Sequence, residues 1–256
     1  MSKVKVLMLR APGTNRDVDT QIAFEMSGAA VDSALVTELF RKEKNLAEYH
    51  ILVIPGGFTY GDDISAGRIM ANEIRLRLGE DVTRFVDNGR LVLGICNGFQ
   101  VLVKTGILPG IPGQNAQPVT LTNNDSGKFE CRWVYLKVNK NSPCVFTKGM
   151  NGMYVPIAHG EGKLAAEPGM VEKLNIVVQY VDEKGKTQAG YPHNPNGSVK
   201  DIAGICDNTG RIFGLMPHPE DFIRPTQHPR WTREKPRKDS YGLQVFANAV
   251  EWSNGI

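Results

Sequence analysis

Nucleotide-binding loops are missing from this chain. It holds neither G-x-x-x-x-G-K-[ST] nor G-x-G-x-x-G, the usual glycine-rich cradles for ATP and dinucleotide phosphates. No cofactor is therefore expected on it. Cysteine is scarce, at four residues, with no C-x-x-C pair and no histidine spaced for zinc, which argues against a bound metal and against disulfides. Cys131, Cys144 and Cys206 are expected to be plain buried thiols. Long apolar runs are absent too. Met1 to Leu9 is too short a run for a signal peptide and alternates as a first strand would, so the expected location is the cytoplasm. Neither sign of charge dominates: 30 Lys and Arg against 27 Asp and Glu leave a net +3. That gives no basic surface for nucleic acid and no reason to expect a membrane partner. With no repeat, low-complexity tract or shift in composition to mark a linker, residues 1–256 are expected to form one domain.

What is present is organised around Arg90-Leu91-Val92-Leu93-Gly94-Ile95-Cys96-Asn97-Gly98-Phe99-Gln100. The apolar run reads as a buried parallel strand, and Gly94 to Gly98 then form a Gly-x-nucleophile-x-Gly elbow with Cys96 as nucleophile. The glycines are needed because so sharp a turn leaves no room for a Cβ on either side. A helix is expected to begin here, its free N–H groups facing the thiol.

Elsewhere, Thr14 to Asp17 is expected to start a helix that buries Val18, Ile22 and Met26 before Gly28 stops it. Ala30 to Thr37 reads as a weaker second strand and Ile51 to Ile54 as a third, running into Gly56-Gly57. Arg68 to Leu78 is helical by pattern, with Glu73 and Arg77 placed as an exposed i,i+4 pair. Beyond Pro109 the strand candidates are Lys128 to Val138, Asn175 to Val181, Asp201 to Ile205 and Arg211 to Met216. A closing helix presents Leu243, Phe246 and Val250. The expected fold is α/β: a mostly parallel central sheet with helices on both faces and a strand-rich, partly antiparallel second half. Its site should lie beyond the carboxyl ends of the strands.

A nucleophilic thiol wants a base, and the base wants a third group to hold its tautomer. His218 alone reads as a strand-end histidine. Glu220, two residues on, points to the same face of an extended segment, so the two can be presented to Cys96 together. The Asn97 N–H comes with the elbow, and the Gly57 N–H at the end of the third strand is the natural second oxyanion donor. Gln100, in the first helical turn, is a candidate substrate contact. His159 and Glu161 share the i,i+2 relation and stand as a rival dyad.

Pro55-Gly56-Gly57-Phe58-Thr59-Tyr60-Gly61-Asp62, Gly94 to Gln100 and Met216-Pro217-His218-Pro219-Glu220 together resemble class I glutamine amidotransferases. Pro156-Ile157-Ala158-His159-Gly160-Glu161-Gly162 and Asn194-Pro195-Asn196-Gly197-Ser198 resemble, more narrowly, the purine-biosynthesis glutaminase branch that serves formylglycinamidine ribonucleotide synthesis. The resemblance implies Cys96 as nucleophile, His218 as general acid–base, Glu220 as its orienting carboxylate, and Gly57 with Asn97 as the oxyanion hole. It also implies L-glutamine as substrate, with a separate synthetase subunit that holds ATP and magnesium and a small accessory subunit as partners. His159 and Glu161 are then expected to couple glutamine hydrolysis to the synthetase. Asp221 departs from the arginine of many relatives, and Phe222 to Lys238 is longer than a compact member needs. Arg224 to Lys238 is basic and reads as a solvated loop or as a surface for an acidic partner. The competing readings are an independent cysteine hydrolase or peptidase, and a regulatory module without catalysis.

Overall fold

Apolar runs with no polar face become central strands: Ile51–Ile54 and Leu91–Ile95 are buried at every position. The structure, a computed structural model, describes residues 3–110, 117–234 and 241–255. Among these the order is β1 (Lys5–Arg10), α1 (Asp17–Met26), β2 (Ala30–Leu35), α2 (Val36–Phe40), β3 (Ile51–Ile54), α3 (Arg68–Arg77), α4 (Gly79–Asp87), β4 (Leu91–Ile95), α5 (Asn97–Lys104), β5 (Val119–Thr122), β6 (Glu130–Val138), β7 (Gly152–His159), β8 (Lys163–Ala166), β9 (Asn175–Val181), β10 (Ile202–Cys206), β11 (Ile212–Leu215) and α6 (Leu243–Ser253). A nine-stranded sheet runs β2-β1-β3-β4-β11-β10-β9-β6-β7. It is parallel from β2 to β11 and antiparallel from there to β7. β5 and β8 pair separately. Helices cover the sheet in two groups, α1 with α6 and α3 with α5. Among the described residues no helix is long and apolar enough to cross a membrane.

Register converges three chain segments on one point. β3 and β11 flank β4 with Ile54 beside Gly94 and Leu215 beside Ile95, so the chain leaving each strand emerges next to Cys96. The Cys96 N–H donates to Leu215 O at 2.8 Å, which carries the pairing one residue past the strand. β7 lies at the far edge of the sheet, yet Pro156 O accepts from His218 N–H at 2.8 Å. The antiparallel half therefore curls back over the carboxyl ends of the parallel strands.

Several expectations need correction. α1 forms, but Val18 and Met26 are 61% and 45% exposed, and the buried face is Thr20, Ala23 and Phe24. Phe24 meets Phe246 of α6 edge-on, with ring centroids 5.0 Å apart, and the aromatic contact sets the helix rotation. β2 ends at Leu35, where Glu38 Oε2 accepts from the Leu35 N–H and Val36 turns into α2. Glu73 accepts from the Tyr60 hydroxyl at 2.7 Å, while Arg77 lies over the Phe40 ring, so no Glu73–Arg77 pair forms. Cys131 is exposed, because the alternation of β6 turns its neighbour Glu130 inward. β7 carries Pro156 and does not read as a strand; it is tolerated at an edge, where one side of the ladder is unused.

Candidate active site

The elbow is strained where it matters. Cys96 sits at φ 51° and ψ −106°, a conformation that non-glycine residues adopt only when their surroundings hold them there. The flanking glycines serve packing and not dihedral freedom. A Cβ on Gly98 would fall 1.8 Å from Ile54 O of β3, and one on Gly94 would fall 2.6 Å from Leu102 Cδ1. Cys96 is 6% exposed, walled in more than a bare elbow suggests. It lines two cavities, of about 250 and 320 Å³, both shared with Gly57, Phe58, Phe129 and Ala158.

His218 lines the second of these cavities with Cys96. Its Nδ1 is 2.7 Å from Glu220 Oε1, and both side chains are buried, at 2% and 0% exposure. Burial opposes a charge on His218, but the negative charge of Glu220 and that of the Cys96 sulfur outweigh it and hold the imidazolium well above its ordinary range. Nε2 has no hydrogen-bond partner, and the Cys96 sulfur lies 3.7 Å from Ala158 O. Asp221 pairs with Arg16 at 3.3 Å instead of facing the thiol, and burial with the Glu220 charge pushes its carboxyl up to about 6.

Gly57 has φ 148°, and a Cβ there would lie 2.8 Å from Asn15 N and Gly13 O, so only glycine fits. A Cβ on Gly56 would touch His218 Cε1 at 2.9 Å, which puts the Gly-Gly turn against the imidazole. The Asn97 N–H is at the first residue of α5 and has no intrahelical acceptor. The Asn97 side chain is buried and braces the Gly-Gly loop, with Oδ1 accepting from the Thr59 hydroxyl and Nδ2 donating to Asp62 and Gln100. Gln100 is also buried. Its Nε2 donates to Glu161 O, so the amide ties α5 to the loop after β7.

His159 and Glu161 do not form a dyad. Glu161 accepts from the Ala66 N–H and faces Lys104, while His159 Nδ1 meets Asn124 Oδ1 at 3.1 Å. Asn124 Nδ2 donates to Lys128 O and His159 O, which fixes Oδ1 as an acceptor and makes Nδ1 of His159 the protonated nitrogen. Burial first, then the charge of His218, pushes His159 down to about 3, so it is neutral and cannot serve as the base. A Cβ on Gly162 would fall 2.2 Å from His159 Cε1, which accounts for the glycine after Glu161. In the unfolded chain His159 would take a proton below its ordinary 6.5. Folding stability from this residue is therefore full above 6.5 and lost as pH falls toward 3. Relative to wild type, His159→Gln should gain about 1.4 kcal/mol for each pH unit below 6.5, as read by urea unfolding at pH 7.5 and 5. A constant difference between the two proteins would contradict this placement.

Sequence reasoning missed Asn124, Asn196 and Tyr180. Asn196 is fully buried and donates to Gly162 O at 2.8 Å and to the Tyr180 hydroxyl at 3.3 Å, so the Asn194 to Ser198 turn props the His159 loop from behind. That turn was visible as a motif, but its contact was not. In the basic segment, Arg224, Arg230 and Arg233 are exposed and Arg230 pairs with Glu234 at 2.7 Å, while Phe222 and His228 anchor the segment on Trp133. Lys235, Arg237 and Lys238 lie outside the described residues.

A cysteine on a strained elbow at the carboxyl end of a parallel sheet shares a cavity with the histidine of a His–carboxylate pair, an arrangement suited to attack by a thiol on a carbonyl. Residues 3–253 match the CobB/CobQ-like glutamine amidotransferase domain, and the chain belongs to that family. It is similar to the phosphoribosylformylglycinamidine synthase subunit PurQ of Dehalococcoides mccartyi, at 56% identity over the whole of both chains. Identity to the protein of the same name from Archaeoglobus fulgidus is 42%, over 85% of this chain and 87% of that one. Among solved structures, PurLQS from Thermotoga maritima contains a chain with a TM-score of 0.75 and 30% identity, covering 98% of this chain and 99% of that one.

Proposed function

We propose that this chain is the glutaminase subunit of phosphoribosylformylglycinamidine synthase. It hydrolyses L-glutamine and supplies the ammonia to a separate synthetase subunit, which makes formylglycinamidine ribonucleotide in purine biosynthesis. The observation that carries this reading is the placement of Cys96, Gly57 and His218 around one cavity, with Glu220 bonded behind His218, in a chain 56% identical over its whole length to a relative that bears that name.

The chemistry follows from the geometry. The Cys96 thiolate attacks the carboxamide carbon; a C–S bond forms and the carbonyl electrons move to oxygen, where the Gly57 and Asn97 N–H groups receive the charge. His218 gives its Nε2 proton to the amide nitrogen, the C–N bond breaks and ammonia leaves a glutamyl thioester. Neutral His218 then takes a proton from water as the oxygen attacks the same carbon, and glutamate departs from the regenerated thiolate. Glu220 keeps Nδ1 as the donor throughout. ATP and magnesium belong on the synthetase, which with a small accessory subunit completes the cytoplasmic complex.

Trapping labelled glutamine on the protein, with and without the synthetase, tests the reading. Label is expected on Cys96 alone, and label on any other residue overturns the assignment. Gly57→Ala should lower glutamine turnover in the complex by about 10²- to 10³-fold, the scale of one lost oxyanion donor. Rates with added ammonium salt should stay at wild-type level, which separates loss of the hole from loss of assembly.

A further inference from the structure

A cavity of about 750 Å³, larger than either one at Cys96, opens at the amino ends of the parallel strands. Leu46 and Ala47 line it shortly before β3, and Arg90 lines it directly before β4. Arg90 and Cys96 bracket β4, so about 20 Å of extended chain separates this cavity from the elbow. Nothing in the chemistry at Cys96 uses it.

Its charges do not balance. Lys42, Lys44, Arg84 and Arg90 line it against one carboxylate, Asp81, which pairs with Arg84. Lys44 Nζ donates to Ser33 O at 2.9 Å and so has a partner but no counter-charge. Arg90 is the least satisfied of the four. Its backbone N–H donates to Phe85 O at 3.3 Å, which fixes it at the end of α4, and its side chain is half-buried. Nη1 is shut off from water with no hydrogen-bond partner among the described residues. The charge is felt nearby, where burial first and then Arg90 push His50 below its ordinary range. A half-buried guanidinium with an unmet N–H is completed by an anion from outside the chain.

The floor is apolar: Leu39, Leu46, Leu78 and Phe85 are each no more than 6% exposed. An occupant therefore carries an uncharged body as well as its anion. The volume is that of a small-molecule site, and the cations lie within a hollow instead of along a stripe, which suits a compact ligand and not a nucleic-acid strand. Because the chain lacks a glycine-rich phosphate loop, the donors here are side chains, and arginine with lysine supplies them to phosphate. A dianion matches the unpaired charges of Lys42 and Arg90, whereas a single carboxylate would leave one over. We propose that this cavity binds a nucleoside monophosphate, with its phosphate on Arg90 and Lys42 and its base against the floor of Leu46 and Phe85.

The test is calorimetric titration of the full-length chain, apart from the synthetase and the ATP that belongs there, with AMP, UMP, adenosine and inorganic phosphate. At least one of the two nucleotides should bind at a single site with a Kd below about 1 mM, and adenosine and phosphate should each bind about 10-fold more weakly or worse. Arg90→Met should weaken the nucleotide about 10- to 100-fold, the scale of a lost charged hydrogen bond, and Arg90→Lys should recover part of that loss. Lys42→Met, at an exposed position where folding is not at stake, should act in the same direction. No saturable binding of either nucleotide, or binding that Arg90→Met and Lys42→Met both leave unchanged, would overturn the proposal. Adenosine binding as tightly as AMP would overturn it as well, since the cations would then contribute nothing. Phosphate binding as tightly as the nucleotides would do the same, by removing the base from the site.

Discussion

Cys96→Ala should abolish glutamine-dependent synthesis, by about 10⁴-fold or more, while synthesis from ammonium salt by the same complex continues at the wild-type rate. The size of the loss follows from the chemistry, because without the sulfur there is no thioester and His218 has no charge to face. Structural cost should be small. Cys96 is hydrogen-bonded through its backbone, from its N–H to Leu215 O and from the Gln100 N–H to its own carbonyl, and alanine keeps both. The strained φ of 51° is no worse for alanine than for cysteine. Steady-state rates on glutamine and on ammonium, measured side by side in the assembled complex, decide the matter. Equal loss on both would point to disrupted assembly, and retained glutamine activity would remove Cys96 from the reaction.

The elbow was legible in the sequence because its constraint is local: Gly94, Cys96 and Gly98 lie on one short turn, and the close approach of Gly98 to Ile54 O follows from helix on strand. His218 and Glu220 do pair, but not through the extended chain that the i,i+2 spacing assumed: Pro219–Asp221 is a 3-10 turn, and it brings the Glu220 carboxylate back onto Nδ1. The same spacing misled at His159 and Glu161, where the carboxylate turns to Ala66 and Lys104 and the imidazole to Asn124, a partner 35 residues away. Periodicity could not anticipate that choice. It failed at α1 for a related reason: Val18, Ile22 and Met26 make an apolar stripe, but the Phe24–Phe246 contact with α6, distant in sequence, sets which face is buried. Gln100 is a mixed case. Its position four residues after Cys96 marked it as close to the site, and it does line a cavity with Cys96, while its amide also fastens Glu161 O and Asn97.

Glu220→Gln is expected to lower kcat on glutamine by about 10³- to 10⁴-fold with little change in shape, and to move the alkaline limb of the pH profile to lower pH. Two causes act together. Glu220 is wholly buried, and its Oε1 takes the Nδ1 proton of His218 at 2.7 Å. A glutamine can present its NH₂ there instead, which leaves Nδ1 as an acceptor and puts the proton on Nε2, so that neutral His218 cannot take a proton from the attacking water. The second cause is charge. The carboxylate is what holds the His218 imidazolium up against burial, and without it burial draws the group down. His218 is raised in the native protein, so its contribution to stability is full below its ordinary 6.5 and is lost as pH rises through the higher native value. The variant should accordingly lose more stability, relative to wild type, at pH 6 than at pH 9. Activity and urea unfolding across that range separate the two causes. A rate reduced equally at every pH, with an unmoved alkaline limb, would mean that Glu220 only orients the imidazole. A shifted limb with a small loss of rate would mean that its charge is the larger contribution.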